Sequence, residues 1–193
     1  MSIHWLPFPV KSCTINLMNK TTIGIIISLV VLVSVWVLVK REKSLLVTNF
    51  SECVASGSPV MESYPRQCRY GDQTFTEDVG NELDKTDLIR LSTPRPNQVI
   101  ASPLVITGEA RGTWFFEASF PIVLVDWDGR IIAQAVAQAK SDWMTTDFVP
   151  FEATVTFIVD ENVYSRRGAL ILRKDNPSGL PEHDDALEVP IML

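Results

Sequence analysis

From Phe151 to Val159 the side chains alternate with a period of two. Phe151, Ala153, Val155, Phe157 and Val159 share one face, and Glu152, Thr154, Thr156 and Ile158 share the other. Only an extended strand places alternate residues on one side, so the pattern excludes a helix here and predicts a sheet with one buried face. Other strand-like runs fill residues 97–193: Gln98–Ile100, Leu104–Ala110, Trp114–Val125, Arg130–Lys140, Ala169–Arg173 and Leu187–Met192. Asp126-Trp127-Asp128-Gly129 lies between two of them. Asp-Gly between apolar runs is a hairpin signal, because both residues tolerate positive φ. Pro121 marks a bulge or an edge position. Ala133, Ala135, Ala137 and Ala139 give the return strand a face of small residues. About seven short strands without helical periodicity predict an all-β fold, an antiparallel β-sandwich.

A different physical class of segment precedes this domain. Residues 21–39, TTIGIIISLVVLVSVWVLV, hold no charged side chain. Nineteen residues extend about 28 Å as a helix, close to the hydrocarbon thickness of a bilayer. Trp36 sits near one end, where interfacial aromatics concentrate, and Lys40, Arg41, Glu42 and Lys43 follow as a charged flank. The run is long for a secretory signal and lacks a small-residue cleavage site, so the reading is one retained transmembrane helix. Met18-Asn19-Lys20-Thr21 also has the form of a start, which would make residues 1–17 an upstream extension.

Three cysteines stand at 13, 53 and 68. Cys53 and Cys68 enclose a short segment with Gly57, Pro59 and Pro65, and Gly71-Asp72 and Thr74-Phe75-Thr76 follow. A unit this small buries little apolar area, and a disulfide across about fifteen residues would add roughly 3 kcal/mol. Two cysteines without a nearby histidine are too few for a metal centre, and their spacing is far from a Cys-x-x-Cys redox pair. The alternative to a structural disulfide is two free thiols. Positively charged residues flank residues 21–39 almost equally, so charge leaves the orientation open; an oxidised pair puts the C-terminal part outside the cytoplasm and the N-terminus inside.

The organisation read from the sequence is therefore a cytoplasmic N-terminus at 1–20, a transmembrane helix at 21–39, a juxtamembrane linker at 40–48, a two-cysteine module at 49–79, a linker at 80–96 and the β domain at 97–193. A helical turn or two is expected between Asp84 and Leu91. Net charge is −6. It comes entirely from residues 93–193, with 8 Lys/Arg against 14 Asp/Glu, so a nucleic-acid partner is not expected.

Three blocks of the β domain carry a resemblance. They are Thr107-Gly108-Glu109-Ala110-Arg111-Gly112 with Trp114 to Phe120, Trp143-Met144 with Phe148-Val149-Pro150-Phe151, and Lys174-Asp175-Asn176-Pro177-Ser178-Gly179-Leu180-Pro181. Together they resemble the immunoglobulin-like domain of bacterial spore germination proteins, over roughly residues 94–192. The resemblance implies an Ig-like sandwich in an envelope protein and carries no active site. The cysteine segment resembles small modules of short bacterial envelope proteins. Its end is faintly similar to Kazal-type protease inhibitors, without their full cysteine set.

Candidate site residues follow from chemistry. Trp114 and Trp143 are read either as packing or as an exposed recognition patch, since tryptophan favours interfaces. Glu117, among aromatics, is placed on a strand beside Phe115 and Ser119, where it pairs with an arginine or meets a ligand. Asp142, Asp147, Asp175, Asp184 and Asp185 lack calcium-loop spacing. His4 and His183 are the only histidines, and no Ser-His-Asp arrangement is visible. The expectation is no catalytic residue, no metal and no cofactor. The leading reading is a bacterial envelope protein, single-pass in the cytoplasmic membrane, that binds another envelope protein or a cell-wall component. The alternative is a regulator whose cysteine module inhibits a protease.

Overall fold

The structure, a computed structural model, describes residues 24–25, 28–33, 46–160 and 162–193. The chain divides into two units, residues 1–46 and 47–193. In the first, 24–25 and 28–33 are helical, and Ile25, Leu29, Val30, Val31, Leu32 and Val33 are each more than half exposed. The rest of the expected span at 21–39, its flanks, Cys13 and His4 lie outside the described residues. Among the described residues no helix is long and apolar enough to cross a membrane.

The second unit begins with helix α1 (Phe50–Ala55). Its N-cap Asn49 accepts the Glu52 amide at 2.9 Å, while the Glu52 carboxylate accepts from the amide and hydroxyl of Thr48. These reciprocal bonds satisfy donors that a helix start leaves open. Strands β1 (Val60–Met61), β2 (Gln67–Tyr70) and β3 (Gln73–Thr76) form an antiparallel sheet in that order. Cys53 and Cys68 are disulfide-bonded with Cα atoms 6.0 Å apart, which ties α1 to β2. Both are fully buried with Val47, and Phe50 and Phe75 pack over them. The module therefore has its own small core, centred on the disulfide.

A short helix α2 (Glu82–Lys85) leads to seven strands: β4 (Ile89–Thr93), β5 (Leu104–Arg111), β6 (Ser119–Asp126), β7 (Ile131–Ala139), β8 (Phe148–Val155), β9 (Arg167–Arg173) and β10 (Ala186–Met192). The sequence pattern predicts two packed sheets. The strands instead form one continuous antiparallel sheet, ordered β10-β9-β6-β7-β8-β5-β4. The reason is the length of β7. One edge of β7 pairs with β6 from Ile131 to Gln138, and at the end of the strand Gln138 and Ala139 pair on the other edge with Glu152 and Phe151 of β8. One strand thus joins both layers, and the sheet curls around a single core. Phe120 of β6 meets Phe151 of β8 across that core with ring centroids 4.9 Å apart. The small-residue face of β7 makes room: Ala137, fully buried, is the direct partner of Phe120.

The two edges nearly meet. After β4 the chain crosses to β10, where the Asn97 amide donates to the Pro190 carbonyl and the Ile100 amide to that of Met192. Asn81 covers the start of β10: its amide donates to the Glu188 carbonyl, its side chain donates to the Ala186 carbonyl, and it accepts the Glu188 amide. An exposed strand edge is a template for association, and these contacts cover it. Residues 80–96 are thus part of the domain rather than a linker, and β4 takes the place expected for a strand at Gln98–Ile100, where there is only a bridge from Val99 to Met192. The bulge lies at Leu124/Val125, not at Pro121. Pro121 sits just beyond the reach of β9, whose pairing with β6 begins at Ile122.

Candidate functional site

The sequence-derived site residues do not converge. Trp114 lies in a 3-10 turn, Gly112–Trp114, and is 2% exposed. Its carbonyl accepts the Asp175 amide, and its buried indole Nε1 has no hydrogen-bond partner among the described residues. It is a core residue and cannot serve as a recognition surface. Glu117 is not on a strand. It and Ala118 occupy the centre of a tight hairpin turn, with φ of 50° and 62°, closed by reciprocal bonds between Phe116 and Ser119. Glu117 is exposed there, and among the described residues it forms no ion pair with an arginine. Trp143 is half-buried against the core and lines a shallow depression with Phe115 and the exposed Met144. Cys53 and Cys68 are the buried staple already described. In the loop after β9 the Ser178 hydroxyl lies 3.0 Å from His183 Nδ1, but Asn176 holds the Asp184 carboxylate, so the three residues form no relay. Among the described residues no group of three or more metal-ligating side chains is gathered.

The structure assembles a different site from the turn that the sequence pattern identified. The Asp126 carboxylate, 4% exposed, accepts the amides of Asp128 and Arg130 with one oxygen and the Arg130 guanidinium with the other, at 2.9–3.0 Å. Gly129, at φ 75°, closes the turn by donating to the Asp126 carbonyl. Burial alone would raise the Asp126 pKa, but the hydrogen bonds from Arg130 and Asp128 hold it below the usual aspartate value. The carboxylate therefore stays charged and fixes the turn. Trp127 projects from it, 46% exposed, against Tyr164, 90% exposed, with ring centroids 5.3 Å apart.

Behind these rings lies a cleft of about 510 Å³. Asp78, Ser165, Arg167 and Glu188 give it polar walls. The aromatic partner Tyr164 and the polar groups come from the loop before β9 and its first residue, from β10 and from the end of the cysteine module. Tertiary structure alone brings them to the hairpin. The sequence reading passed over Trp127 as a turn residue. The signal was present, because a tryptophan held inside a four-residue turn cannot reach the core.

A second polar cluster joins the module to the sheet. Arg66 clasps the buried Glu77 at 2.5 and 2.8 Å, and Asn97 donates to the same carboxylate at 3.2 Å. The Arg66 bonds hold the Glu77 pKa below the ordinary glutamate value, against burial. The buried Glu82 accepts from the Tyr64 hydroxyl and pairs with Arg95 at 3.4 Å. Every partner in this cluster is internal, so it positions the module and leaves little free for a ligand.

The curled sheet of seven antiparallel strands, with its β10 edge covered, defines an all-β domain. Residues 88–179 match the family described as the immunoglobulin-like domain of bacterial spore germination. The match begins one residue before β4 and runs through β9. No curated protein and no solved structure matches the chain.

Proposed function

We propose that this chain is a single-span protein of the bacterial cytoplasmic membrane whose immunoglobulin-like domain serves binding or assembly outside the cytoplasm, without catalysis of its own. The observation that carries the reading is the buried Cys53–Cys68 disulfide at the centre of the module core. Such a staple forms in oxidising compartments. The uncharged run at 21–39 supports an anchor, and the exposed valines and leucines of 28–33 are the side chains a lipid-facing helix presents. The family match supports a germination-related binding domain. The partner is another envelope protein or a cell-wall component.

The test is made in intact bacteria expressing the full chain. Cells are quenched in acid and alkylated with a mass-adding maleimide. One thiol should react without reductant and three after reduction, and protease added to spheroplasts should remove the C-terminal domain. Three reactive thiols without reductant, or a protected domain, would overturn the topology. Crosslinking in the same cells then identifies the partner.

A further inference from the structure

Trp127 and Tyr164 are large exposed rings beside a concave surface, and the turn that presents Trp127 is fixed by four bonds to the Asp126 carboxylate. Large aromatic faces held open next to a cleft of about 510 Å³ are the material of a ligand site, and this volume falls in the usual range. The polar walls narrow the chemistry. Arg167 offers a guanidinium with no side-chain partner among the described residues; Glu188 offers a carboxylate in the same condition; Asp78 keeps one oxygen free. Arg167 disfavours a cation, and the two carboxylates disfavour an anion. What fits is an uncharged ligand that both donates and accepts hydrogen bonds and carries an apolar face. A peptide adding as a strand meets part of that description, but that mode needs an open strand edge. The edge of β10 beside the cleft is taken up by Asn81 and by residues 97–100.

We propose that this cleft binds a neutral saccharide, with sugar rings stacked on Trp127 and Tyr164 and hydroxyls bonded to Arg167, Asp78 and Glu188. The proposal rests on the binding role given above and supplies its ligand class.

The test is titration of the full chain, in a detergent without a sugar headgroup, with neutral tetrasaccharides of glucose and of N-acetylglucosamine. Binding is read by calorimetry and by tryptophan fluorescence. At least one should bind saturably. Trp127→Ala and Tyr164→Ala should each weaken it about tenfold or more, and Tyr70→Ala, an exposed aromatic of β2, should leave it unchanged. Tyr164 is almost wholly exposed, so its alanine variant keeps the fold and the test stands if Trp127→Ala unfolds. Absence of binding by both saccharides, or binding that survives both cleft variants, would overturn the proposal. Either result would leave the disulfide and protease tests of topology untouched, so the two readings fail separately.

Discussion

Replacing Cys53 and Cys68 together by alanine should unfold the module and leave the curled sheet intact. The disulfide closes a separation of 15 residues, which is worth about 3 kcal/mol in the chain-entropy account. Both sulfurs are fully buried in a cluster of a few side chains, so their removal costs roughly 1–2 kcal/mol more. The sum, about 4–5 kcal/mol, exceeds what a segment of roughly thirty residues holds at typical stability per residue. The sheet has a separate core built around Trp114, Phe120, Phe151 and the aliphatic residues of β4 to β10. Hydrogen exchange followed by mass spectrometry reads the two regions independently. Amides of α1 and β2 should lose protection, while those of β6 and β9 keep theirs. If β6 and β9 lose protection to the same extent, module and sheet unfold as one unit. The polar cluster of Arg66, Glu77, Asn97, Glu82 and Arg95 would then outweigh the separation of cores, and the reasoning would be wrong.

Glu77→Gln should destabilise the chain by about 1–3 kcal/mol at neutral pH, as expected for losing charge-assisted bonds to Arg66. Because the folded pKa of Glu77 is lowered, its contribution is present above the unfolded glutamate value near 4.3 and fades as pH falls through the folded value. Urea midpoints measured from pH 6 to pH 3 should therefore drop less steeply in the variant, and an unchanged slope would contradict the assignment. The Glu117–Ala118 turn carries two non-glycine residues at positive φ. Changing the pair to Asn-Gly, the residues that geometry favours, should stabilise by about 1 kcal/mol, and a lowered urea midpoint would refute it. At Gly108 an added Cβ would lie 2.2 Å from the Arg90 carbonyl oxygen and 2.6 Å from the Phe151 ring. Gly108→Ala should thus cost at least about 1–3 kcal/mol in thermal or urea unfolding, whereas a neutral effect would mean that β4 and Phe151 shift freely.

The strands were legible where one-sided burial wrote itself into alternation. β5, β7, β9 and β10 fall where the period of two places them. The same signal overshoots in β8, because burial and pairing are different constraints. Phe157 stays buried after the strand has ended, and its amide is taken by the Ser102 hydroxyl at 3.0 Å rather than by a neighbouring strand. β4 was hidden for the opposite reason. Only Ile89 and Leu91 point inward in its five residues, too few to separate a strand from the end of a helix. The joining of two layers into one sheet was not legible at all, since it depends on β8 meeting the second edge of β7 at Gln138 and Ala139, while the first edge stays paired with β6. The turn at Glu117 and Ala118 has none of the glycine or asparagine that marks such a reversal, so the chain reads as continuing straight.

The site was obscured because Trp114 and Trp143 stood out as candidate surface while Trp127 read only as part of a turn. Trp114 is followed by Phe115 and Trp127 lies between two aspartates; the first is enclosed and the second stands in solvent. The difference lies in how their backbones are held. Trp114 sits where the 3-10 turn folds under the loop that follows β9, and the Asp175 amide closes over its carbonyl. Trp127 sits inside a turn whose four donor bonds all run to Asp126, leaving the ring nowhere to go but outward. A buried aspartate that anchors a hairpin thereby sets the exposure of its neighbour. The prediction that follows concerns Asp126 itself. Asp126→Asn keeps the shape but loses the charged acceptor for Arg130, so it should loosen the turn and broaden the Trp127 fluorescence. Saccharide binding should weaken with little change in the core. If binding falls only in proportion to lost folded protein, the turn presents nothing, and Asp126 is structural alone.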